Sequence, residues 1–241
     1  MTELEHSHER GAVRARLRED AKPSYVRDFV YGGIDGAITT FAVVAGVVGA
    51  ELSATVILIL GFANLLADGF SMAAANYSGT KTVIDDIARI REIEKRHIAE
   101  APEGEREEVR QILAAKGLDG EVLETAVQRI TADHRQWINL MVTEEYGLSL
   151  TQPDPLKAGL MTFIAFALCG AIPLLPFAFG MNDAFTLSTI MTGLTFFGIG
   201  AVKSRWSLSH WLRSGLETLA IGGGAAALAY VVGYLLKGLA G

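Results

Sequence analysis

The sequence predicts an all-α membrane protein with five transmembrane helices and one polar, helical insert. Half of the 241 residues are hydrophobic and the mean hydropathy is +0.31, which is high for a soluble globule of this length. The charges are also unevenly spread, because all but Lys237 of the 21 lysines and arginines fall in three polar stretches. The predicted parts are a tail over 1–27, spans within 28–77 and 155–241, and an insert over 78–154.

The predicted spans are continuous apolar runs with the length that a helix needs to cross ~30 Å of hydrocarbon, roughly 20 residues. Strands are excluded because the runs do not alternate between apolar and polar residues. Pro173 and Pro176 predict a bend or break in the third span. The single cysteine, Cys169, excludes an intrachain disulfide. The spans lie near 28–50, 53–77, 156–180, 184–204 and 213–236.

The loop charges predict the orientation in the membrane. The short loops "AELSA" at 50–54 and "GMNDA" at 180–184 contain no Lys or Arg, whereas the tail, the insert and "KSRWSLSHWLR" at 203–213 are basic. The positive-inside rule therefore places the N-terminus and the insert in the cytoplasm. The compact chain favours the inner membrane of a bacterium over an organelle. Without a basic patch interleaved with aromatic residues, we expect no nucleic-acid partner.

The insert carries 16 acidic and 10 basic residues and shows helical periodicity, which predicts three helices. The first continues the second span through "TKTVIDDIARIREIEKRHIAE", with an isoleucine at every third position. The second begins at Pro102 and ends at Gly117, which is typical helix punctuation. The third runs from Asp119 to Gly147.

Six potential metal ligands share helical faces in the insert. Residues three or four positions apart project from the same side of a helix. Carboxylates and imidazoles from facing helices hold di-iron and di-manganese centres in helical bundles, and a thioether favours iron over magnesium or calcium. The spacing alone leaves open a solvated acidic face with ion pairs. The pairs are Glu94 with His97, Glu105 with Glu108, and Met141 with Glu145.

The first two spans carry polar residues that predict an ion path. A bare charge near the bilayer centre costs about 2.5–3.5 kcal/mol, so Asp35 in the first span has a functional reason to be there. Asn64, Asp68 and Met72 follow at intervals of four and trace one stripe along the second span. Oxygen ligands alone would suit a hard cation, whereas Met72 indicates a transition metal. Ordinary packing also explains a single methionine.

The small residues around Asp35 predict a close helix contact. Gly32 and Gly36 form a G-x-x-x-G pattern, which lets the first span approach another helix closely. A two-fold interface at this position would form one path shared by two copies of the chain.

The order of these elements resembles the vacuolar iron transporter family, whose members exchange Fe(II) or Mn(II) for protons. The resemblance covers roughly 25–237 and implies a dimer with the metal path at the interface of the first two spans. It also implies a cytoplasmic insert that collects metal before transfer. The motifs that carry it are "IDG" at 34–36, "SM" at 71–72, "QWINLMVTEEYGL" at 136–148, "PDPLKAGL" at 153–160 and "IPLLPF" at 172–177.

The resemblance also implies roles for individual residues. Asp35 and Met72 match the membrane acid and methionine of the family, and the six insert residues fall at its ligand spacing. His97 stands where a glutamate is usual, which keeps a ligand. Asn64 stands where many members have a membrane glutamate, and Asp68 adds an acid one turn later, which we interpret as a relocated carboxylate.

The function expected from the sequence is proton-coupled transport of Fe(II) and/or Mn(II) out of the cytoplasm. The protein would be a secondary transporter rather than an enzyme, with metal ions as substrate and as insert-bound ions and with no organic cofactor. Its partners would be lipid, protons and a second copy of the chain. Two alternatives remain: a membrane-tethered metal-binding or ferroxidase protein without transport, and a metal-regulated interaction scaffold.

Overall fold

The computed structural model describes residues 7–18 and 23–239, and over these residues it contains helices and no strand. The all-α prediction is therefore confirmed for the described part of the chain, and the tail over 1–27 lies partly outside it. In chain order the α-helices are α1 (Arg10–Arg18), α2 (Val26–Gly49), α3 (Ala54–Glu100), α4 (Pro102–Ala115), α5 (Gly120–Thr131), α6 (His134–Glu144), α7 (Pro155–Ala171), α8 (Leu175–Ala178), α9 (Ala184–Lys203) and α10 (Trp211–Leu236).

The chain divides into two compact units. Among the described residues, the membrane unit comprises 25–83 and 153–239, and the insert unit comprises 7–18, 23–24 and 84–152. Helix α3 contributes to both, because its 47 residues are more than twice the roughly 20 that one crossing needs. The predicted continuation of the second span into the insert is therefore present as one unbroken helix.

Five described segments are long and apolar enough to cross a membrane, as predicted from the hydropathy. They are α2, the first part of α3, the segment Pro155–Ala178, α9 with the turn that follows it, and α10. The third is interrupted at the predicted prolines: α7 ends at Ala171, a 3-10 turn covers Ile172–Leu174, and α8 begins at Leu175. A proline lacks the N–H that would continue the helical hydrogen bonds, which explains the break.

Helix α2 lies at the centre of the membrane unit, where it packs against α7, α9 and α10. Its glycines allow this approach. A Cβ at Gly32 would stand 2.2 Å from the carbonyl oxygen of Thr162, and one at Gly36 would stand 2.3 Å from that of Phe166. The predicted close helix contact of the G-x-x-x-G pattern is thus made with α7 of the same chain. Ala37 and Val44 are fully buried on the same helix.

The insert unit has its own apolar core, which draws on four helical segments. Ile87 and Ile90 come from the end of α3, Val109 from α4, Val127 from α5 and Trp137 from α6. The isoleucine periodicity of the sequence therefore marks a buried face. The remaining buried members are Ile98, Leu113, Leu123, Ile138, Met141 and Val142.

The predicted third helix of the insert is wrong as a single element. The chain forms α5 and α6 instead, so the insert contains four helical segments rather than three. Asp133 separates them in an extended conformation, with φ −114° and ψ 104°. Its carboxylate accepts hydrogen bonds from the backbone N–H groups of Arg135 and Gln136, which caps the start of α6.

Candidate functional site

Glu94 and Glu105 lie inside the insert unit although they are acidic. Glu94 is 1% exposed and Glu105 is 5% exposed. Each occupies an apolar face, because Glu94 lies one turn after the buried Ile90 and Glu105 lies one turn before the buried Val109. The core-facing sides of two helices therefore each carry a carboxylate, Glu94 on α3 and Glu105 on α4.

Each of these carboxylates keeps one buried oxygen without a partner. The Oε2 atoms of Glu94 and Glu105 are buried and accept no hydrogen bond. A buried polar atom of this kind is costly, and far more so when it belongs to an ionised carboxylate. A bound cation would supply the missing partner to both oxygens, so the two residues fit a metal ion.

His97 stands between the two buried acids. Its Nδ1 atom is 3.3 Å from Oε1 of Glu105 and 3.9 Å from Oε1 of Glu94. The side chain is 44% exposed, so the imidazole borders on solvent while the two acids do not. The predicted ligands Glu94, His97 and Glu105 therefore meet.

Glu108 and Glu145 complete a group of four carboxylates whose charges act on one another. Burial raises the pKa of Glu105 to about 7, with further contributions from the negative charges of Glu108, Glu94 and Glu145, while His97 opposes the shift. Burial also raises the pKa of Glu145, again helped by Glu94 and Glu108. The like charges repel one another, and a divalent cation would relieve this repulsion.

In the side-chain orientations of this structure, the group does not form a complete coordination shell. Among the described residues, no three or more His, Cys, Asp or Glu side chains are arranged so as to hold a metal ion. Glu108 and Glu145 lie on the exposed side of the group. Met141 is fully buried in the apolar core, one turn before Glu145. The structure thus brings five predicted donors together and places the sixth in the core.

Tyr146 belongs to this site and was not predicted from the sequence. Its hydroxyl donates a 3.0 Å hydrogen bond to Oε1 of Glu94. Burial and this hydrogen bond raise the pKa of Tyr146 to about 12, so the group keeps its proton at neutral pH. The available sequence signal was a tyrosine, an aromatic residue with a polar hydroxyl, directly after the predicted ligand Glu145.

The membrane unit carries its own acidic pair on adjacent spans. Asp35 on α2 and Asp68 on α3 are both half-buried. Among the described residues, the charge that acts on Asp35 is that of Asp68, another acid. The two predicted path acids are therefore close enough to interact.

Asn64 and Met72 have defined packing roles in the membrane unit. The Asn64 amide nitrogen donates hydrogen bonds to Oγ1 of Thr39, at 3.1 Å, and of Thr40, at 3.2 Å. These bonds tie α3 to α2 near the acidic pair. Met72 packs against the apolar cluster that contains Phe166, so its side chain contributes to packing in this structure.

Asp28 is a buried acid that the sequence analysis missed. It is 3% exposed, and its Oδ1 accepts a 2.9 Å hydrogen bond from the amide nitrogen of Asn76. The same nitrogen donates to Oγ1 of Thr162 at 2.7 Å and to the carbonyl oxygen of Ala158 at 3.2 Å. This network joins α2, α3 and α7. The signal was an acidic residue in the first turn of the first span, for which the sequence predicted no role.

Comparison with known proteins supports one interpretation of these features. A family model described as the VIT family matches residues 26–234. A vacuolar iron transporter of Toxoplasma gondii is 33% identical over 225 residues, which cover 88% of this chain and 74% of that protein. Vacuolar iron transporter 1 of Arabidopsis thaliana is 34% identical over 217 residues, which cover 88% of this chain and 86% of that protein.

A vacuolar iron transporter of Plasmodium falciparum is 30% identical over 224 residues, with 88% of this chain and 82% of that protein covered. The three relatives come from eukaryotes and are named for the vacuole. They agree with a membrane protein that transports iron. They lend no support to the bacterial inner membrane that the chain length favoured.

Proposed function

The chain belongs to the VIT family, and from this premise we propose that it moves Fe(II) and/or Mn(II) out of the cytoplasm in exchange for protons. The names of the relatives support iron as a substrate. The proton coupling, the transport of manganese and the direction are our proposals, and they rest on the chemistry of the insert group and of the membrane acids.

The insert group supports a capture step. The unpartnered Oε2 atoms of Glu94 and Glu105 offer buried oxygen donors, and His97 borders on solvent where an ion would arrive. Carboxylate and imidazole donors suit Fe(II) and Mn(II). We place this insert and the N-terminus in the cytoplasm because the basic residues are concentrated there.

The pair Asp35 and Asp68 is the observation that carries the transport proposal. Both acids lie in helices that are long and apolar enough to span a membrane, and the charge of Asp68 acts on Asp35. Two bare carboxylates at this depth are unfavourable, so the pair takes up either protons or a cation. Protons entering from the far side would displace the metal from the same oxygens, which gives exchange.

A second copy of the chain is part of the proposal. Asn64, Asp68 and Met72 lie on α3, and only 22% of the apolar window of this helix is buried within one chain. Phe62, at 51% exposure, shows how open the helix is. In a two-fold dimer built on α2 and α3, the stripe of Asn64, Asp68 and Met72 in one copy would face the same stripe in the other copy across a shared path.

The decisive experiment is metal uptake by proteoliposomes with an acidic lumen and Fe(II) or Mn(II) outside. We expect wild-type protein to transport at least one of the two metals, and to stop when the proton gradient is collapsed. Asp35→Asn keeps the side-chain volume and removes the charge, and it should abolish uptake. Asp183→Asn, in the loop before α9, is the matched control and should transport normally. Full uptake by Asp35→Asn would refute the proposal.

The four-carboxylate insert group favours one second candidate, a membrane-tethered ferroxidase. This protein would oxidise Fe(II) at the insert without moving it. Oxygen consumption by the full-length protein with Fe(II), together with no uptake into proteoliposomes, would establish it in place of transport.

A further inference from the structure

We propose that His97 determines the metal selectivity of the insert group, because it adds one nitrogen donor to an otherwise oxygen-only set. Its imidazole makes the group prefer cations that bind nitrogen well, namely Fe(II), Co(II), Ni(II) and Zn(II), over Mg²⁺ and Ca²⁺, and favours Fe(II) over Mn(II). This inference rests on the proposed capture of metal by the insert and names the class of ion that is captured.

The position of the imidazole matches that of a metal ligand. Donors that hold one ion at about 2.1 Å stand about 3.0 Å apart when they are neighbours in an octahedron and about 3.4 Å apart in a tetrahedron. Nδ1 of His97 stands 3.3 Å from Oε1 of Glu105, within this range, and 3.9 Å from Oε1 of Glu94. A small rotation of one carboxylate would bring all three atoms around one ion.

An ion pair between His97 and the two acids explains less of the geometry. A protonated imidazole could donate from Nδ1 to Oε1 of Glu105, and Tyr146 already donates to Oε1 of Glu94. The buried Oε2 atoms of Glu94 and Glu105 would still have no partner. A metal ion can contact both oxygens of a carboxylate, so it satisfies the atoms that the imidazole does not reach.

The composition of the group explains why this one residue sets the preference. The groups whose charges act on the pKa of Glu105 are Glu108, Glu94, Glu145 and His97, and His97 is the only nitrogen base among them. An oxygen-only set suits Mg²⁺, Ca²⁺ and Mn(II), whereas imidazole suits the later first-row metals. Affinity in this series rises from Mn(II) through Fe(II) to Cu(II), so a nitrogen donor widens the margin of Fe(II) over Mn(II).

The test measures binding to the full-length protein in detergent, with Fe(II) under anaerobic conditions, Mn(II), Zn(II) and Mg²⁺ as separate probes. In His97→Glu, we expect Mn(II) binding to persist, the ratio of Fe(II) to Mn(II) affinity to fall roughly tenfold, and Mg²⁺ to compete better. His97→Gln adds no charge and should lower the same ratio. It replaces His97→Glu as the test variant if the additional glutamate destabilises the fold. His134→Gln, an exposed histidine of the same unit, is the matched control and should leave the ratio unchanged.

A spectroscopic readout distinguishes ligation from a structural role. Bound Mn(II) should show ¹⁴N modulation of its electron spin echo from the imidazole in wild-type protein and in His134→Gln, and none in His97→Glu. Unchanged affinity ratios with no ¹⁴N signal in wild-type protein would overturn the selectivity proposal and leave metal capture intact. An absence of binding by every probe would overturn both this proposal and the capture step of the proposed function.

Discussion

Glu105 shows how the surroundings of one carboxyl group change its chemistry. It has the same residue type as the exposed Glu103 two positions earlier, yet its side chain lies on the buried face of α4 with three other acids around it. Burial and these charges raise its pKa to about 7, whereas an ordinary glutamate titrates near 4.5. At neutral pH, the carboxyl group of Glu105 therefore releases its proton readily when a cation replaces that proton.

The shift predicts opposite pH dependences for folding and for metal binding. The folded, ion-free protein holds the Glu105 proton more tightly than the unfolded chain, so this group favours folding most below about pH 4.5 and loses that effect as the pH rises through 7. Metal competes with the same proton, so Mn(II) affinity should rise between pH 6 and pH 8. Calorimetry on the full-length protein at both pH values measures the change.

Glu105→Gln removes the titrating group and should reduce the dependence of Mn(II) affinity on pH. The exposed Glu121 of α5 provides the control, because Glu121→Gln should keep the wild-type profile. An identical slope in Glu105→Gln and in wild-type protein would show that the coupled proton comes from another group.

The break between α5 and α6 depends on the cap at the start of a single helix. Asp133 and Asp119 both precede a helix, but only the carboxylate of Asp133 accepts backbone hydrogen bonds at the helix start. We expect Asp133→Ala to destabilise the insert unit by about 1 kcal/mol, the usual loss for an N-cap. Hydrogen exchange at the amides of Arg135 and Gln136 should accelerate. Asp119→Ala is the control, and an equal loss in both variants would contradict the capping role.

The contact between α2 and α7 predicts a steric effect in the membrane unit. A methyl group at Gly32 would collide with the backbone carbonyl of Thr162, which has no flexible end to move aside. Gly32→Ala should therefore lower the stability in detergent by about 1–3 kcal/mol, the range for overpacking. Gly223→Ala on α10 meets nothing within 4 Å and should keep the wild-type melting temperature. Similar melting temperatures for both variants would refute the close contact.

At the scale of the whole molecule, the proposed dimer would cover α3, the less buried of the two helices that carry the predicted path residues. The apolar window of α2 is 56% buried within one chain, whereas that of α3, which carries three of the four predicted path residues, is 22% buried. Native mass spectrometry in a mild detergent should give twice the 25.8 kDa mass of one chain. Transport-active protein found only as single chains would contradict this prediction.

Much of the fold could be predicted from the sequence because its signals are local. The length of an apolar run determines whether a helix can span the bilayer, and Pro173 breaks its own helix. The break at Asp133 was not predicted, because the sequence pattern does not distinguish a capping aspartate from any other polar surface position of a helix. The isoleucine pattern correctly marked a buried face of α3. The glycine pattern correctly predicted a close helix contact, but spacing does not say which helix approaches.

The sequence by itself determined the five spans, the charged insert and the pairs of donors on each helix, since these depend on neighbours within a few positions. The tertiary structure decided which donors meet: His97 faces Glu105 from another helix, Tyr146 reaches Glu94, and Asn76 holds Asp28. It also decided the burial of Glu105, which raises the pKa of this group. Burial and contact arise between residues that are far apart in the chain, and no local pattern contains that information.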